Sequence, residues 1–100
     1  MHFITRRRLR EFWVEHPSAK RPLMAWYTQT KHAQWQSLVD VREIFPSADQ
    51  VQRLTVFNIG GNKYHLITRI EYAQQKVYIR SVMTHAEYDK ERWKDDPWYN

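Results

Sequence analysis

The sequence predicts a small single-domain α+β fold spanning residues 1–100, in which an antiparallel sheet carries N-terminal helices on one face. Three observations predict it. Apolar residues recur at helical spacing as far as Phe45, and from Arg53 onward the pattern changes to strand-forming runs separated by polar turns. The chain, at 100 residues, is too short for two domains, and its 15% aromatic content is that of a packed core.

His2-Phe3-Ile4 reads as a short strand. Thr5 is placed to cap a helix to about Glu15, where Leu9, Phe12 and Trp13 form one apolar stripe. Arg6, Arg7, Arg8 and Arg10 fall mostly off that stripe and stay open to two readings: a solvated face, or a surface for an acidic or nucleic-acid partner. His16-Pro17 ends the helix, and Ser18 is the expected cap of a second one to about Lys31, with Leu23, Trp26, Tyr27 and Thr30 on its inner side. Ser37, with Asp40 three residues on, predicts a third helix whose buried side is Leu38, Val41, Ile44 and Phe45. Pro46 stops it.

Arg53–Ile59, Asn62–Tyr72 and Val77–Met83 read as a three-stranded meander, with Gly60-Gly61 and Gln74-Gln75 as two-residue turns. Thr84-His85-Ala86-Glu87 matches the T-x-x-E capping box and predicts a last helix to about Trp93. Trp98 and Tyr99 fit either partner contacts or a frayed tail over about 95–100.

Those turns imply a register. Val56 falls opposite His65, and Arg69 opposite Arg80. Side-chain alternation then puts Phe57, Tyr64, Leu66, Ile70, Val77, Ile79 and Met83 on the helix side. Asn58, Lys63, His65, Ile67, Arg69, Glu71, Tyr78 and Arg80 form a basic second face, floored by Ile67 and Val82. Two arginines facing each other destabilise a strand pair by up to about 1 kcal/mol, which points to an anion between them unless Glu71 neutralises one.

The net charge is +5, a balance that favours a polyanionic or acidic partner. The absence of cysteine excludes thiolate catalysis and cysteine-held zinc, and fits a cytoplasmic setting. The five histidines show no metal-ligand spacing, so neither a metal nor another cofactor is expected. There is no apolar run of membrane-spanning length and no secretory leader pattern at the start.

A basic sheet face with a nearby histidine suits metal-independent RNA cleavage by the ribose 2′-hydroxyl. Arginine forks match phosphate oxygens, and His85 is a candidate base or acid. Tyr88 shares a helix face with His85, where it would stack on a base or assist proton transfer; Tyr78 is a second stacking candidate.

The segments Val56-Phe57-Asn58-Ile59-Gly60-Gly61-Asn62-Lys63-Tyr64, Leu66-Ile67-Thr68-Arg69, Val77-Tyr78-Ile79-Arg80 and Thr84-His85-Ala86-Glu87-Tyr88-Asp89 resemble the HigB toxins, within the RelE/ParE-like toxins. Phe45-Pro46-Ser47-Ala48-Asp49 fits as well. The resemblance implies the compact fold above, mRNA cleavage linked to the ribosome, and neutralisation by a HigA-type antitoxin. It implies catalytic roles for Lys63, Arg69, Arg80, His85 and Tyr88; Asn58, His65, Tyr78 and Lys76 are the candidate RNA contacts. His65 departs from the arginine often found at that strand position. Two other functions remain: a ParE-like topoisomerase inhibitor and a non-catalytic RNA-binding module. The His85–Tyr88 pair favours the nuclease.

Overall fold

The computed structural model describes residues 1–100. In chain order it contains β1 (His2–Ile4), α1 (Arg7–Glu15), a 3-10 turn (Pro17–Ala19), α2 (Lys20–Lys31), α3 (Leu38–Ile44), β2 (Asp49–Val51), β3 (Leu54–Ile59), β4 (Tyr64–Glu71), β5 (Lys76–Thr84), α4 (His85–Asp89) and a last 3-10 turn (Arg92–Asp95). The α+β reading holds. The five strands run β1-β5-β4-β3-β2, antiparallel except that β1 lies parallel to β5. That parallel pair is possible because the whole helical layer intervenes as a crossover. β2, on the opposite edge, is an element the sequence does not announce.

The expected caps behave differently from one another. Thr5 has φ of +67° and caps nothing; Arg6 flanks α1 without a side-chain capping bond. Ser18 lies inside the 3-10 turn, where its hydroxyl meets Tyr64 Oη and accepts from Lys63 Nζ at 3.3 Å. Ser37 does flank α3, but neither arm of the box forms; Asp40 instead accepts the N–H of Gln36, one residue before the cap, at 2.8 Å. Ile44 turns outward and is 42% exposed, so Val41 is the buried residue of that helix.

Both hairpins turn over four residues, 60–63 and 72–75, rather than two. Gly60 and Gly61 both take positive φ, +62° and +73°, and Gln75 takes +55°. Ile59 therefore pairs with Tyr64, Asn58 with His65, and Glu71 with Lys76. Each slip is by two residues, so the faces survive. The expected opposition of Arg69 and Arg80 does not: Arg69 lies across from Tyr78. A bulge then intervenes, with Thr68 opposite Ile79 but Ile67 opposite Ser81, leaving Arg80 as the extra residue. One inserted residue reverses the facing of everything beyond it. Val82 consequently packs with the helix-side core and Met83 with the opposite face, the reverse of the expected assignment.

Two apolar clusters flank the sheet. The larger holds Leu23 and Trp26 of α2 against Phe57, Leu66, Val77 and Ile79. The smaller, on the second face, is Leu54, Val56, Ile67 and Trp93, with Met83, Tyr88, Trp98 and Tyr99 packed around it. The C-terminal segment thus folds back over the second face, tied by the Arg53 N–H to the Tyr99 carbonyl at 3.1 Å. No helix is long and apolar enough to cross a membrane.

Candidate active site

The Thr84 cap forms as its motif requires. Its Oγ1 accepts the Glu87 N–H at 3.3 Å, and the preceding ladder closes with the His85 N–H donating to the Lys63 carbonyl at 3.1 Å. These two bonds hold His85 at the open end of the β4–β5 hairpin. The helix then stops at Asp89, well short of Trp93, because Glu91 adopts a left-handed conformation with φ of +60°. Replacing Thr84 with alanine is expected to cost about 1 kcal/mol. It should also lower activity by loosening His85, with Thr84→Ser restoring both; denaturation midpoints and cleavage rates check this.

His85 turns toward the second face. Its Nδ1 lies 2.9 Å from Nε2 of His65, and its Nε2 lies 3.2 Å from Oδ2 of Asp89 one helical turn on. His65 is buried, 2% exposed, whereas the His85 side chain is 44% exposed. The His65 ring stacks on Tyr88 at 4.0 Å and 17°, and Tyr88 stacks in turn on Trp93 at 5.2 Å and 6°. The Trp93 indole N–H donates to the Tyr88 carbonyl at 3.1 Å. Both faces of Tyr88 are therefore occupied, which rules out the expected stacking of Tyr88 on a base. Burial raises its pKa, as does the negative charge of Asp49, so the ring stays a phenol.

The proton inventory of the pair follows from burial. Nδ1 of His65 is buried without a partner. An orphaned N–H costs more than a bare ring lone pair, which favours His65 carrying its proton on Nε2 and donating to His85. His85 Nε2 is then the atom left facing Asp89 and solvent. Burial holds the pKa of His65 below its ordinary value; repulsion from His85 adds to this, and Asp89 partly opposes it. Below about pH 6.5 the unfolded chain consequently binds a proton that the folded chain refuses. Stability should be level above that pH and fall as pH drops toward the lowered folded value. His65→Phe should flatten the fall, as read from urea midpoints between pH 5 and 8.

The remaining candidates separate into two groups. Asn58 is exposed directly across from His65, so it belongs to the His85 end. Lys63 touches His85 through its backbone, but its ammonium reaches Ser18 on the helix side. Arg69, Tyr78, Lys76 and Arg80 lie farther along the sheet. Arg69 forks onto Glu71 with bonds of 3.1 and 2.9 Å, and Lys76 sits across from the same glutamate. Arg80 makes a two-bond pair with Asp96, at 2.8 and 3.0 Å, and lies 4.1 Å over the Trp98 ring. Partial burial works against ionised Asp96, but bonds from Arg80 and the Trp98 N–H outweigh it and hold its pKa below the usual carboxylate range. The arginines do not share an anion; each already has its own carboxylate. Arg53, Arg69, Tyr78 and Trp98 line a cleft of about 530 Å³ there.

Asp89, Asp96 and Trp93 complete the arrangement and were not singled out by sequence reasoning. Only Asp89 carried a readable signal, its i, i+4 spacing from His85 on a capped helix.

The family model for the HigB toxin, a RelE-like toxic component of a toxin–antitoxin system, matches residues 19–91. The chain belongs to the HigB toxin family. The matched segment contains all the candidates from Asn58 to Asp89 and ends before Trp93, Asp96 and Trp98. The chain is similar to the mRNA interferase toxin HigB of Escherichia coli strain K12, at 35% identity over 92 residues, covering 89% of this chain and 88% of that protein. The mRNA interferase HigB of Shigella flexneri matches to the same extent. That of Escherichia coli O6:H1 is 26% identical over 93 residues, covering 90% of each chain. As a HigB-family toxin, this chain has an antitoxin as its natural partner.

Proposed function

We propose that this HigB-family chain is an mRNA interferase that cleaves ribosome-bound mRNA in the cytoplasm and is neutralised by a HigA-type antitoxin. The observation that carries the reading is the Asp89–His85–His65 array, with its one accessible ring nitrogen at the hairpin end. The names of the similar proteins support the substrate class.

The ribose 2′-hydroxyl attacks the adjacent phosphorus, the P–O5′ bond breaks, and a 2′,3′-cyclic phosphate and a 5′-hydroxyl result. His85 handles a proton through Nε2. With Nδ1 accepting from His65, His85 carries its proton on Nε2 and donates it to the leaving 5′ oxygen, while the 2′-hydroxyl proton passes to solvent water. His65, held neutral by burial, fixes the ring's orientation, and Tyr88 fixes His65 by stacking. Lys63, whose carbonyl accepts the His85 N–H, is the candidate to supply charge at the phosphate, and Asn58 a neighbouring contact. The RNA continues along the second face toward the cleft lined by Arg69 and Tyr78; Lys76 lies two residues from Tyr78, across from Glu71, and Arg80 stays against Trp98.

Purified protein incubated with translating ribosomes should release mRNA fragments ending in 2′,3′-cyclic phosphate. Intact mRNA accompanied by DNA damage on induction would point to a topoisomerase inhibitor. RNA retained without cleavage would point to a binding module. Either result overturns the proposal.

A further inference from the structure

The charge of this protein is distributed unevenly. Residues 1–31 hold seven Lys or Arg against Glu11 and Glu15, while residues 32–100 hold nine of each sign. The whole net charge of +5 therefore sits on the α1–α2 layer, behind the sheet from His85. All six ion pairs of the molecule join residues between Arg42 and Asp96, so none neutralises this layer. Two of its arginines have structural tasks. Arg6 donates to the Tyr27 hydroxyl, and Arg8 donates to the carbonyls of Ile79 and Arg80 at the bulge. Arg7 and Arg10 are exposed and free of such tasks.

Arg7 and Arg10 rim a groove of about 500 Å³ between α1 and α2 whose walls include Trp13, Met24 and Tyr27. Met24 is 48% exposed, and Val14 on the last turn of α1 is 67% exposed. An RNA strand is served by cations and stacking rings. An exposed thioether in an apolar trough with a cationic rim suits instead the apolar side of an amphipathic helix that carries acidic residues along its flanks.

We infer that the groove between α1 and α2 is the anchoring site of the antitoxin, which enters it as an acidic amphipathic segment. The inference rests on the toxin–antitoxin reading and adds the surface and its chemistry. Charge steers the encounter from the basic rim, and burial of Met24 and Trp13 supplies the contact. The anchor leaves His85 uncovered.

The experiment titrates the purified full-length toxin with its cognate antitoxin at low and high salt. Arg7→Glu combined with Arg10→Glu should weaken binding by about tenfold or more and flatten the salt dependence. Met24→Gln, which removes the apolar contact without adding charge, should weaken it comparably at both salt concentrations. RNA cleavage by the free variants should match the parent, and co-expressed antitoxin should no longer restore growth. Affinities within about twofold of the parent's would overturn the inference. So would variants that keep the antitoxin but lose RNA cleavage, which would make the surface an RNA contact. A parent dimer that the variants dissolve, with antitoxin affinity unchanged, would assign the groove to a second copy and overturn it too. An antitoxin that fails to bind the unmodified chain would overturn the toxin–antitoxin reading itself, a result distinct from the others.

Discussion

His85→Ala is expected to lower RNA cleavage by about 10²- to 10⁴-fold, the usual contribution of a positioned proton-transfer group, and to abolish growth arrest. The fold should survive. The His85 side chain is 44% exposed, and its removal costs His65 one hydrogen bond, about 1 kcal/mol. His65→Phe provides the companion measurement. It keeps a flat ring against Tyr88 but removes the bond to His85. A loss of about tenfold in kcat with little change in KM, together with a shifted pH–rate profile, is expected if His65 orients His85. A general packing defect would move stability without moving the profile. Full toxicity of the His85→Ala protein would remove His85 from the site.

Asp96→Ala should produce the largest loss of stability among surface-segment variants. Arg80 would keep its place under Trp98 but lose both charge-assisted bonds, and the Trp98 N–H would lose its acceptor. The pair is mostly shielded, with 22% and 16% side-chain exposure, so little solvent screening discounts it. A cost of about 2 kcal/mol follows, or roughly 10 °C in melting temperature for a chain this size. Activity should fall as well. The C-terminal segment carries Trp93, Trp93 supports Tyr88, and Tyr88 supports His65. Arg80→Lys, which retains a charge but not the fork, should lose only part of that stability. An unchanged melting curve for Asp96→Ala would show that the segment is held by its aromatic residues alone.

These expectations bear on what the amino-acid order reveals. The helix stripes at Leu9, Leu23 and Trp26, the meander, and the capping box at Thr84 were legible because each rests on contacts within a few residues or a simple period. The hairpin turns are each two residues longer than the sequence predicts. Glycine at positive φ announces a turn but does not set its length, since Gly60 and Gly61 serve a four-residue turn equally well. The bulge at Arg80 had no signature, and it alone exchanged the facing of Val82 and Met83. Sequence counting likewise suggested a basic sheet face, yet Glu71 and Asp96 return to Arg69 and Arg80, and the uncompensated charge lies with the helices.

The sequence by itself determined the α+β class, the capped junction that bears His85, and the kinship with HigB toxins, because local periodicity and short motifs encode them. Only the tertiary structure decided that His85 faces His65, that Tyr88 is closed between two rings, and that each arginine has its own carboxylate. Those facts depend on strand register and on a C-terminal segment crossing the sheet. Both are set by contacts between residues far apart in the chain, whose partners no local pattern names.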